Sequence, residues 1–361
     1  MSAFIPGQEL SRLLYEEAVR PILDRHLPGL NHSAALLGYG SDVLGFDTVR
    51  STDHGWGPRL VLFLDEGDFA SIEAEVDHLL QHYLPPVFHG YAVDFGMGDP
   101  HDRPRDDLIP GGIDHNIFIT TVPDFLERQV GFRSWGRIEP VGWLLASEQM
   151  MLELTAGAVH HDGLNQLMPM RDALAYYPRD IWLFLLSSQW RRISQQEAFV
   201  GRTGEVGDEL GSAVIAADLV RDLMHLTFLL ERTYAPYAKW LGTAFSRLKS
   251  APALTPFLQA AMEATSWQAR QAALSPAYEI VAQLQNGLGI CDPLPVKVSI
   301  YYSRPFDVIQ GERFADAIEE KIEDPRIRSL PKQIGSIDQF VNSTDILTHA
   351  DRRRRLVEVY G

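Results

Sequence analysis

The feature that most constrains this chain is a change of pattern near Pro140. Before it, short apolar runs alternate with amphipathic stretches; after it, helical periodicity continues almost unbroken to Gly287. From Gln8 to His26, residues Leu10, Leu13, Leu14, Ala18 and Ile22 recur at three- and four-residue steps, the period of a helix with one apolar face. Pro28 and Gly29 stop it. Ala34-Ala35-Leu36-Leu37, Leu60 to Leu64 and Asn116 to Val122 read as strands, with a helix from Phe69 to Tyr83 between the second and third. Strands alternating with helices imply an α/β-type unit. Beyond Val141 the longest helical patterns are Arg179 to Phe199 and Gly211 to Tyr234; Pro252, Pro256 and Pro276 punctuate others near their starts. An extended stretch at Val296 to Tyr302 and a helix at Arg313 to Ile322 close the pattern. The expected fold class is α+β: an α/β-type domain with a mixed sheet, residues 1–139, then a mostly helical domain, residues 140–361, forming the other wall of a cleft.

Composition narrows the function. The chain has 361 residues, enough for two folded units with ample core. Lys plus Arg number 32 against 48 Asp plus Glu, so the net charge of −16 argues against a long nucleic-acid groove. No apolar run approaches the ~18–20 residues of a membrane span. The start, MSAFIPGQELSRLLYEE, lacks the basic and apolar regions of a signal peptide. The single Cys291 excludes an internal disulfide and a Cys-rich zinc site, and reads as a small apolar residue. A soluble, cytoplasmic protein with no membrane partner is expected; its oligomeric state is left open.

The most informative stretch is GYGSDVLGFDTVRSTDHGWGPR, from Gly38 to Arg59. A dinucleotide fingerprint fails because Val43 stands where its third glycine belongs. A P-loop fails because Phe46 and Asp47 replace the Lys and the hydroxyl residue after Gly45. The reading that remains is Gly40-Ser41 at a strand end, a short helical turn, then Asp53 on the next strand. Gly40 would let the backbone approach a triphosphate. Ser41 and nearby amides would donate to its oxygens, and Asp53 would hold Mg²⁺.

At these residues the sequence resembles the polymerase-β-like nucleotidyltransferases, and within them the DUF4037 family. Further stretches similar to that family are HHDGLN at His160, YYPRDIWLFLLSSQWRRISQQEAFVGR from Tyr176, GDELGS from Gly207, APYAKWLG from Ala235, RPFDVI from Arg304 and IGSIDQFVNSTD from Ile334. The resemblance covers nearly the whole chain. It implies an enzyme moving a nucleoside monophosphate from an Mg²⁺- or Mn²⁺-bound NTP, with ATP the expected donor, to a hydroxyl of a small-molecule acceptor. It also implies a third acid from a later strand, Asp94 or Asp114, with Asp114 adopted, and a carboxylate base from the helical half: Glu197, with Asp208 and Glu209 as alternatives. One departure matters. The superfamily pairs two carboxylates as Asp-x-Asp or Asp-x-Glu, and this chain has Asp53-His54-Gly55. A weakened enzyme, or a nucleotide-binding regulatory protein on the same fold, is therefore the alternative.

Other residues carry two readings each. Arg59 either clamps a phosphate or pairs with Asp53. His54 is a phosphate contact, a metal ligand or a structural His. Lys239, between Tyr237 and Trp240, either meets a triphosphate or lays its stem over core aromatics. His78 and His82 have zinc-ligand spacing but lack the following Glu, and with Glu73, Glu75 and Asp77 they read as a solvated helix face. His160-His161-Asp162 is an acid–base pair or a set of loop contacts. Asp47 reads as a turn residue.

Overall fold

The computed structural model describes residues 4–53, 55–94 and 109–361. The chain divides into two compact units, residues 1–138 with 150–175, and residues 139–149 with 176–361. It is a mixed α+β structure with a four-stranded mixed sheet and a helical C-terminal region.

In the first unit the opening helix is interrupted. It runs α1 (Gly7–Leu14), a π-helical turn (Tyr15–Val19), then α2 (Arg20–His26). There follow β1 (His32–Leu36), β2 (Arg59–Leu64), α3 (Phe69–Tyr83), a small β3 (Val87–Phe88) and β4 (Tyr91–Ala92) hairpin, β5 (Asn116–Thr120) and α4 (Val122–Val130). The sheet order is β5-β2-β1-β6, where β6 is Ala158–Asp162. β1 is antiparallel to β2 and to β6, and β2 is parallel to β5 through α3.

β1 and β2 are buried at every position, as the central strands of a sheet covered on both faces should be. Leu60, Leu62 and Leu64 share one core with Leu10 and Leu14 of α1 and Val76 and Leu80 of α3. On the alternate face Phe63 meets Phe125 of α4 edge-on, ring centroids 5.3 Å apart. Thr121 caps α4 by accepting from the Asp124 N–H, and Gly131, at φ 92°, ends it in the left-handed region.

Two expectations need correction here. His160-His161-Asp162, read as an acid–base pair or a set of loop contacts, lies on a strand of the sheet, β6. Asp53 does not sit on a strand: it ends a 3₁₀ turn (Val49–Asp53), and β2 begins only at Arg59.

The helices between Pro140 and Glu319 are α5 (Pro140–Leu145), α6 (Glu148–Thr155), α7 (Leu167–Ala173), α8 (Arg179–Gln196), α9 (Phe199–Glu205), α10 (Glu209–Leu230), α11 (Ala238–Phe245), α12 (Ala251–Glu263), α13 (Trp267–Gly287) and α14 (Gly311–Glu319), and four short α-helical turns follow. In the second unit α8 is packed by α10 and α14, and α10 by α9, α12 and α13. Trp190 of α8 stacks on Phe314 of α14 at 4.4 Å, and the Trp182 indole donates to the Leu229 carbonyl at 2.8 Å. Pro256 and Pro276 lie inside α12 and α13 rather than near helix starts, so each removes one helical N–H donor. The extended stretch near residue 300 is a hairpin of β7 (Ser299–Tyr301) and β8 (Arg304–Val308). Among the described residues no helix is long and apolar enough to cross a membrane.

Candidate functional site

The strand directions gather several of the sequence candidates. β1 leaves the sheet at the edge where β2 and β5 enter it, so Gly40, Ser41, Arg59 and Asp114 lie along one edge. Arg59 is in register with Asn116, two residues beyond Asp114. Asp94 pairs with His115 in an isolated antiparallel bridge, which brings the two alternatives for the later acid next to each other, both half-buried.

A buried ion pair sets the Gly40-Ser41 turn. Asp42 receives the Arg59 guanidinium in a two-pronged grip, Nη2 to Oδ1 at 2.7 Å and Nε to Oδ2 at 3.2 Å. The same Nη2 donates to the Tyr39 carbonyl at 2.6 Å, and the Tyr39 ring lies 4.7 Å from the guanidinium carbon. Asp42 and Arg59 are 1% and 5% exposed, so neither charge has water to fall back on. Gly40 is required by this arrangement. A Cβ there would stand 2.2 Å from Asp42 Oδ1 and 2.3 Å from Arg59 Nη2, on a backbone already at φ +127°. Arg59 therefore pairs with Asp42.

The rest of the turn is tied to the start of α1. Asp47 Oδ2 accepts from the Gly7 N–H at 2.7 Å and from the Trp56 indole at 3.0 Å, which fits its reading as a turn residue. Gln8 donates to the Asp42 and Val43 carbonyls. Instead of a helical turn, residues 41–45 form a reverse turn closed by the Phe46 N–H on the Ser41 carbonyl at 2.8 Å. The Ser41 side chain is half-buried and makes no hydrogen bond among the described residues. The Asp53 side chain and all of His54 lie outside them. Among the described residues no three His, Cys, Asp or Glu side chains group as a metal site.

Behind this edge sits a polar cluster that the sequence reading missed. Asp77 is buried, not solvated. It accepts from Gln81 Nε2 at 2.7 Å, and its other oxygen is 3.4 Å from His115 Nε2. Gln81 in turn accepts the N–H groups of Ile109 and Ile113, anchoring the segment that leads into Asp114. The available signal was position: Asp77 and Gln81 flank Val76 and Leu80 on the apolar stripe of α3, whereas His78 and His82 are exposed.

His160, His161 and Asp162 lie on β6, within the first unit. Asp162 accepts from Ser33 Oγ and from the N–H groups of Gln166, Leu167 and Met168, capping α7. Those donors hold its carboxyl below the usual range against the opposing effect of burial. His160 bonds Ser11 Oγ at 2.8 Å, and burial pushes its imidazole down to about 4.

Glu197 and Lys239 belong to the second unit. Glu197 Oε2 accepts the N–H groups of Ile309 and Gln310 at 2.7 and 3.0 Å, and Oε1 that of Gly311 at 3.2 Å. It thus clamps the amino end of α14. Burial pushes its carboxyl up to about 7, against the pull of the three donors. Of the alternative bases, Asp208 caps α10 through the Gly211 N–H, and Glu209 pairs with Arg270. Lys239 is exposed in the first turn of α11, with Nζ 5.1 Å from the Trp240 ring centroid.

The family model described as Domain of unknown function (DUF4037) matches residues 143–241, a stretch that includes Glu197 and Lys239 but not the Gly40-Ser41 turn. No curated protein and no solved structure gives a significant match. On the strength of the family match, the chain carries a DUF4037 domain, which spans residues 143–241.

Proposed function

We propose that the protein is a nucleotidyltransferase that moves a nucleoside monophosphate from an Mg²⁺-bound NTP, with ATP the expected donor, to a hydroxyl of a small-molecule acceptor. One observation carries the reading: a Gly-Ser turn leaves β1 at the edge where β2 and β5 enter, and Asp114 stands at that same edge. On this reading the Gly40 backbone and Ser41 hold phosphate oxygens, Ser41 being the hydroxyl with no competing bond among the described residues. Arg59 keeps the turn in shape from beneath, since Nε and Nη2 are committed to Asp42 and Tyr39. Lys239, exposed on α11, belongs to the second unit and is given no place at this edge. Glu197 is left out, because its two oxygens already take three N–H groups.

Asp53 and Asp114 are the carboxylates assigned to Mg²⁺, with oxygen donors of the class that ion takes. Asp94 and Asp114 come together across the His115 bridge, which supports an acidic edge. Bound there, the ion would offset charge on the phosphates during transfer. The net charge of −16 favours a small acceptor over nucleic acid.

The second reading, nucleotide binding without transfer, is favoured by Gly55, which leaves the motif one carboxylate short at a backbone with φ +61°. Pyrophosphate release, measured with each NTP, Mg²⁺ or Mn²⁺ and a panel of hydroxylated small molecules, separates the two. Transfer requires metal-dependent release that falls to background in Asp114→Asn. Nucleotide binding with no release from any combination leaves the binding reading, and absence of binding removes both.

A further inference from the structure

A small polar cavity of about 90 Å³ lies wholly within the second unit, between α8, α10 and the segment at 338–342. α8 presents Arg192, α10 presents Arg221, Asp222 and His225, and the later segment presents Asp338 and Asn342. Asp222 is 3% exposed; Arg192 Nε and Gln189 Nε2 donate to its Oδ1, while Oδ2 has no hydrogen-bond partner among the described residues. His225 makes no hydrogen bond there either, and burial beside the two guanidinium groups pushes its imidazole down to about 4, so it faces the cavity neutral. Phe340 and Asn342 are exposed lining residues and mark the open side.

The charges of the lining eliminate most ligand classes. Asp222 and Asp338 set two carboxyl groups against the two guanidinium groups of the lining, so the cavity has no large positive surplus for an anion. Two guanidinium groups oppose a simple cation, and among the described residues no metal-ligating cluster exists. An apolar molecule would leave the buried carboxyl of Asp222 and the half-buried guanidinium of Arg192 with no new partner, which counts against it despite Phe340 and Val341 in the lining. A hydroxyl group satisfies both kinds of wall, because it donates to a carboxylate and accepts from a guanidinium. The volume is well below the roughly 300–1,000 Å³ of sites that enclose a whole drug-sized ligand. It suits one end of such a molecule.

We infer that this cavity binds the diol end of a neutral polyhydroxylated small molecule, a sugar or cyclitol, with the hydroxyls shared between Asp222 and the guanidinium groups of Arg192 and Arg221. The inference stands on the second unit alone and does not depend on the nucleotide reading.

The test is calorimetry and ligand-observed NMR on the full chain with myo-inositol, D-ribose and D-glucose, with inorganic phosphate and ethylammonium as charged alternatives. At least one polyhydroxylated probe is expected to bind saturably in the millimolar range or tighter. Its affinity should fall about tenfold in Asp222→Asn and in Arg221→Ala, the scale of one lost hydrogen bond to a charged group. Arg221 is partly exposed and among the described residues its one ion pair is with Asp218, so Arg221→Ala carries the test if Asp222→Asn fails to fold. No saturable binding by any of the three polyols overturns the inference. So does binding of phosphate or ethylammonium alone, or polyol binding that Arg221→Ala leaves unchanged.

Discussion

Gly40 carries two demands at once. Its lack of a Cβ admits the Asp42–Arg59 pair, and its backbone is the part of the turn assigned to phosphate. Gly40→Ala should therefore lower stability by about 1–3 kcal/mol through backbone strain alone, and loosen the ion pair as well. Arg59→Met should cost more, about 3–5 kcal/mol, because it strands a buried carboxylate. Urea unfolding of the two variants reads both. Gly40 and Ser41 were legible as a strand-end motif, but Asp42 was passed over, because spacing alone does not reveal that the turn folds back to place its carboxylate on Arg59. Glu197 is the residue whose titration should show. Its carboxyl lies near 7 in the folded chain against an ordinary 4.5, so between those values the folded chain holds a proton that the unfolded chain has lost. Stability from this group is complete below pH 4.5 and is lost as pH rises to 7, a change of about 3 kcal/mol. The difference in unfolding free energy between the parent and Glu197→Gln should trace that slope; a pH-independent difference would contradict it.

At the level of elements, apolar periodicity found α3, α8, α10 and the three strands β1, β2 and β5, because each buries a continuous face. It could not find β6. That strand is half-buried at all five positions, includes two histidines and an aspartate, and pairs with β1 through a register shift at Ala34/Ala35. Its partner is more than a hundred residues away, so no local pattern announces the pairing. The π-helical turn in the opening helix was equally silent, since Leu10, Leu14 and Ala18 keep a helical spacing through it. β6 also ends in a cap: Asp162→Ala removes the acceptor of three N–H groups at the start of α7 and should cost about 1–2 kcal/mol. Hydrogen exchange is expected to quicken at Gln166, Leu167 and Met168, and unchanged protection there would contradict the capping role.

For the whole molecule, the change of texture at Pro140 correctly announced a helical C-terminal region, while the return of residues 150–175 to the first unit was hidden. The reason is the same: the sheet recruits β6 by long-range pairing, whereas the sequence displays only local periods. The functional account rests on one edge of that sheet, where the Gly40-Ser41 turn and Asp114 stand together. The most direct test is calorimetric titration of the full chain with ATP, GTP, CTP and UTP, each with and without Mg²⁺, repeated on Ser41→Ala and Asp114→Asn. The account predicts Mg²⁺-dependent binding of at least one nucleotide, weakened in both variants. No binding of any of the four, or binding that both variants leave intact, would contradict it.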